Sequence, residues 1–151
     1  MSLVDTVVYA THLVFAGLWS GSVLFTTYAV LPTALNGDVR PAPVQFVTGK
    51  LQTVSRASAL LLLLSGGHLA GTRYTVEGLT GTGRGYLVLA MVALWFVLAA
   101  LVEIGASKLS DGLAQQKVRQ PAADARPFLL GASLTAVLLL VNAGAILGLY
   151  Y

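Results

Sequence analysis

The sequence predicts an all-α fold, a four-helix transmembrane bundle, and three observations predict it. Hydrophobic residues fill 56% of the 151 positions and charged residues only 10%, against about a quarter charged in a soluble domain, and mean hydropathy is +0.80. Four separate apolar segments emerge, each near the ~20 residues that an α-helix needs to cross the hydrocarbon core. None shows period-2 alternation. Since only helices and closed barrels satisfy the backbone in lipid, the segments are helices.

The first segment runs from about Val4 to Leu31 and is expected to end at Pro32. It lacks a positive leading region, carries Asp5 there, and exceeds the apolar length of a signal peptide, so it is expected to remain in the mature protein. The second runs from about Thr53 to Gly71, with Arg56 reaching back to the interface. The third spans about Tyr86 to Ile104. The fourth follows Pro127, which suits a first helical turn where its missing N–H costs nothing, and continues to Tyr150. At this length the chain, 1–151, reads as a single domain.

Charge orients the segments. Arg40, Lys50 and Arg56 flank loop 1, and Lys108, Lys117, Arg119 and Arg126 flank loop 3. Loop 2 holds only Arg73 and Arg84. Seven basic residues against two is a positive-inside pattern, placing loops 1 and 3 in the cytoplasm and both termini on the outer side of the cell membrane. Tyr74, Tyr86, Tyr150 and Tyr151 then fall at the outer interface as an aromatic belt. The net charge of +3 is scattered through loops, so nucleic acid is not an expected partner. Loop 2, "RYTVEGLTGTGRG", reads as a flexible connector. Its "GTGRG" lacks the strand, helix and lysine of a phosphate cradle. Cysteine is absent, which excludes disulfides and thiolate metal sites, and Met1 and Met91 leave little soft-ligand chemistry.

Two histidines stand inside this apolar background. His12 lies ~10 Å along the first helix from its outer end, and His68 ~7 Å before the outer end of the second, at the helical rise per residue. Both should sit in the outer third of the membrane, where an ionisable residue is costly and usually functional. Asp5, His12 and Trp19 are seven apart and share a face, with Tyr9 and Ala16 beside them. Around His68, "SGGHLAG" places Gly66, Gly67 and Gly71, which would clear room for a flat cofactor or serve close helix packing. The Gly67–Gly71 spacing recurs at Gly17–Gly21 and Gly144–Gly148. Asn142 on the fourth helix falls near the histidine level as a supporting hydrogen bonder. The plainer alternative for each imidazole is a neutral ring bonded to a neighbouring Ser, Thr or carbonyl, for instance Ser65 one turn before His68. For Trp19 it is core packing. Glu103, near Lys108, receives no role, and Thr26, Thr27, Ser58 and Ser133 are too sparse to line a transport path.

"HLVFAGLWSGSVLF", a His, six residues, then Trp-x-Gly, with Pro32 beyond it, resembles the first helix of the copper-resistance protein D (CopD) domain family. "SRASALLLLLSGG" resembles that family's next helix. A looser likeness extends to the HemJ-type protoporphyrinogen oxidases, haem-binding membrane proteins with a His before Trp in the first helix. Where those enzymes carry a basic and aromatic motif after the Trp, this chain has "SVLFTTYAVLP", so the resemblance implies porphyrinogen oxidation only as a distant alternative.

Three readings follow. In the first, His12 and His68 are axial ligands of a b-type haem, with Trp19, Gly67, Gly71 and Asn142 shaping its pocket and Arg73 and Arg84 near its propionates. Helical bundles build such sites from facing side chains. The protein would then carry electrons to or from a quinone or a respiratory partner. In the second, implied by the resemblance, the same histidines bind copper, although Cu(I) favours sulfur and Cu(II) wants more than two ligands. The third is a structural membrane subunit without cofactor. A second copy of the chain stays open as a partner.

Overall fold

The computed structural model describes residues 2–148, which are helical almost throughout, with no strand among them. Helix α1 (Leu3–Phe25) begins at a capping box: the Asp5 N–H donates to Ser2 Oγ at 3.1 Å while the Ser2 N–H donates to the Asp5 carboxylate at 3.1 Å. These bonds satisfy two of the orphan donors that every helix start leaves. Asp5 thus acts first as a capping residue.

Pro32 does not end the helix. A π-turn over Thr26–Val30 widens the backbone just before it, and α2 (Leu31–Asn36) continues with Pro32 in its first turn. Pro32 has no N–H and its ring crowds the carbonyl one turn back, and a wide turn accommodates both defects. Thr27 Oγ1 fastens this turn, bonding Val23 O at 2.8 Å and Leu129 O on the last helix at 3.2 Å. The true stop is Gly37, in the left-handed region at φ +76°, where the Arg119 guanidinium fills the space a side chain would need and donates to Asn36 O at 2.7 Å.

Each remaining helix also outruns its apolar segment. Helix α3 (Pro41–Arg73) starts well before Thr53, with Pro41 in the first turn. Helix α5 (Gly83–Ala114) extends beyond Ile104. Helix α6 (Arg119–Gly148) begins before Pro127, which lies inside it rather than in its first turn. Hydropathy marks only the lipid-facing stretch of a helix, whereas caps mark its ends. Loop 2 is not a flexible connector either: Thr75 caps a short α4 (Val76–Gly81), and Thr82 caps α5 by accepting from the Gly85 N–H at 3.0 Å. The expected end of the fourth helix at Tyr150, and the Tyr150 and Tyr151 belt positions, lie outside the described residues.

Three helical stretches, Leu3–Asn36, Gly83–Ala114 and Arg119–Gly148, are long and apolar enough to cross a membrane. The four long helices close a ring, α1 on α3, α3 on α5, α5 on α6 and α6 back on α1. Large apolar residues face outward, with Leu64 62%, Phe96 61% and Leu134 63% exposed, whereas Thr48, Ser58 and Ser133 are at most 1% exposed. A soluble domain would reverse this order. Along α3 the buried positions Thr48, Leu51, Ser55, Ser58, Leu62 and Ser65 alternate steps of three and four, an inward seam that is mostly hydroxyl.

Glycine positions divide sharply. A Cβ at Gly17, Gly21, Gly67, Gly71, Gly144 or Gly148 would meet nothing within 4 Å among the described residues. The three small-residue repeats are therefore not packing contacts within this chain. Close approach is made elsewhere: Gly105 lies under Leu129, Gly112 under Pro121 and Gly131 under Leu101, all between α5 and α6.

A histidine-lined cavity inside the helix ring

An apolar cavity of about 300 Å³ opens among α1, α3, α5 and α6, with Trp19, Leu98 and Leu62 toward one end and His12 toward the end nearer loop 2. A second lobe of about 130 Å³ continues toward loop 2, to Arg73 and Tyr74; by its place in the ring it is termed the outer lobe and the first the inner lobe. His12, Leu13, Gly66, Ala70, Val88, Met91 and Ala143 border both lobes, so they form a neck between them.

His12 is held by α3. Its Nδ1 lies 2.8 Å from Ser65 Oγ, and Ser65 Oγ lies 2.6 Å from Leu61 O, one turn earlier. A serine hydroxyl has one proton, and the short contact to a carbonyl can only be a donated bond. Ser65 therefore donates to Leu61 O and accepts from His12 Nδ1–H. This network fixes the tautomer, leaving the lone pair of Nε2 free to act as acceptor or ligand. Gly66 makes the fit possible, because a Cβ there would stand 3.1 Å from His12 Cε1.

The two histidines are not brought to one cavity. His68 borders neither lobe. Its Nε2 lies 3.4 Å from Asp5 Oδ1, in a pair whose side chains are 39% and 30% exposed. Helical phase separates them: on α3 Ser65 faces α1 at the level of His12, and His68, three residues on, meets α1 nearer its start. Asp5 and His12 do share a face, as their spacing suggested, yet each takes a different partner.

The other expected site residues divide similarly. Trp19, 1% exposed, borders the inner lobe, and among the described residues its Nε1 finds no hydrogen-bond partner. Gly67 borders the inner lobe, whereas Gly71 and Asn142 border neither. Asn142 Nδ2 donates instead to Leu87 O at 2.8 Å, tying α6 to α5, so Ser65 and not Asn142 supports the imidazole. Arg73 stands at the outer lobe, 5.8 Å from the centre of the Tyr9 ring, and Arg84 borders neither lobe. Glu103 pairs with Arg56 rather than Lys108, its Oε2 accepting from Nε at 3.2 Å.

Sequence reasoning passed over Met91 and Trp95. Both border the inner lobe, and Trp95 Nε1 donates to Ala59 O at 3.2 Å, locking α5 to α3. Nothing in an all-apolar third segment distinguishes its inward positions, since both faces are hydrophobic. Met91 brings a thioether to the lining of both lobes. Among the described residues no three His, Asp or Glu side chains gather to hold a metal ion.

Comparison with family models, curated proteins and solved structures finds no match to this chain.

Proposed function

We propose that the chain is an integral membrane b-type haem protein that transfers electrons, with His12 Nε2 as an axial ligand. The observation that carries this reading is the Ser65 clamp: it holds the ring by Nδ1 and leaves Nε2 unbonded among the described residues, on a residue that lines both lobes of the apolar cavity. Haem-ligating and metal-ligating histidines characteristically donate their other N–H to such a partner. Helices on four sides and a dry lining suit a flat, largely apolar macrocycle, and Arg73 at the outer lobe suits its carboxylates. When bound, the haem supplies one-electron chemistry; the chain's own residues bind it, orient it and exclude water.

In the same reading α3 is a fourth crossing, its inward hydroxyls lowering its hydropathy without exposing them to lipid. From Gly83 to Glu103 α5 rises about 30 Å, the thickness of the hydrocarbon core. The Arg56–Glu103 pair then marks the inner interface of a four-helix transmembrane bundle. Beyond it lie the ends bearing Arg40, Lys50, Lys108, Lys117, Arg119 and Arg126, which belong in the cytoplasm, with both termini outside. A quinone or respiratory complex in the same membrane is the expected redox partner. The test is the visible spectrum of the purified protein with His12→Ala beside it: loss of a haem b spectrum in that variant supports the reading, and a wild-type protein without haem from haem-sufficient cells overturns it.

A further inference from the structure

Resting on that haem reading, we infer that Met91 is the second axial ligand, so that the iron is held between His12 on α1 and Met91 on α5. The neck between the two lobes carries the argument. Of the residues that border both lobes, Gly66, Ala70, Ala143, Leu13 and Val88 offer only hydrogen or hydrocarbon side chains. His12 and Met91 alone among them carry a side-chain lone pair.

Their placement on the helices agrees. Around the ring α1–α3–α5–α6, α1 and α5 occupy opposite corners, and both run in the same direction because each is antiparallel to α3. Register shows this: Asp5 meets His68 and His12 meets Ser65, while Arg56 meets Glu103 and Ala59 meets Trp95. His12 and Met91 each lie about 12–14 Å down their helices from the start of α1 or α5. They therefore stand at matching depth on diagonal helices, with the cavity between them. Bundle cofactor sites are built from side chains on facing helices, and these two helices face each other across the cavity. A thioether opposite an imidazole favours the reduced iron and raises the potential relative to two imidazoles.

The test compares Met91→Leu, Met91→His and His68→Ala, each purified in detergent and read by absorbance and by redox titration. Leu matches Met in volume without a lone pair, so the fold is preserved. The inference expects Met91→Leu to retain haem through His12 but to change from a low-spin to a high-spin spectrum. It expects Met91→His to restore the low-spin spectrum at a lower midpoint potential, and His68→Ala to match wild type. A low-spin wild type whose spectrum is unchanged in Met91→Leu overturns the inference while leaving the haem reading standing. A high-spin wild type does the same. A wild-type protein that takes up copper and no haem overturns both.

Discussion

Gly66→Ala tests the histidine site through its backbone neighbour. The new methyl would stand 3.1 Å from His12 Cε1 and 3.7 Å from Nδ1, the first of these closer than an ordinary carbon contact. The ring must yield by a few tenths of an ångström, and it cannot retreat without lengthening its 2.8 Å bond to Ser65. Gly to Ala in a helix interior gains about 1 kcal/mol in propensity, and overpacking costs about 1–3 kcal/mol. Net stability should therefore fall by no more than about 2 kcal/mol. Haem affinity should fall more clearly, by ~10-fold or greater, as for other lost outer partners of a ligating histidine. Gly49→Ala is the control: it lies in the same helix, borders neither lobe, takes the same propensity gain, and its methyl meets nothing within 4 Å among the described residues. Haem titration of both variants, with thermal unfolding in the same detergent, separates the effects. Equal haem affinity in the two variants would refute the reasoning, as would a loss confined to Gly49→Ala.

Further outcomes follow from neighbouring contacts. Ser65→Ala removes the acceptor for His12 Nδ1–H and should weaken haem binding ~10–100-fold, read by the same titration. His68→Ala disrupts an exposed pair and should cost less than ~1 kcal/mol by thermal unfolding, with the spectrum unchanged. Gly37→Ala forces an L residue into φ +76° and displaces the Arg119 guanidinium, so it should destabilise by more than ~1 kcal/mol, whereas Gly49→Ala, which meets nothing within 4 Å among the described residues, should not. A double-mutant cycle on Arg56→Gln and Glu103→Gln in detergent should give a coupling under ~1 kcal/mol, because both side chains are exposed.

Helix identity was legible because lipid-facing surfaces must be apolar, and long runs such as Leu60–Leu64 or Leu134–Val141 leave no other reading. Helix ends were less so. Pro32 and Pro127 both read as boundaries, yet a π-turn accommodates the first and α6 continues through the second. Which face of each helix turns inward was the hardest feature to read. In a soluble helix apolar periodicity marks the buried face, whereas here the outward face of α5 is as hydrophobic as its inward face, so Met91 and Trp95 gave no signal. On α3 the polar residues did carry one: the alternating steps through Ser55, Ser58, Leu62 and Ser65 identify the inward seam and exclude His68 from it. His12 stood out as an imidazole in a greasy stretch, but its partner Ser65 could be chosen only once α1 and α3 were in register.

The central claim is that His12, and not His68, binds a haem inside the ring. The most direct measurement is a reduced-minus-oxidised visible spectrum of the purified protein with His12→Ala and His68→Ala alongside. The account predicts a haem b spectrum in the wild type that is retained in His68→Ala and lost in His12→Ala. A protein without haem, or a spectrum lost on removing His68 and kept on removing His12, would contradict it.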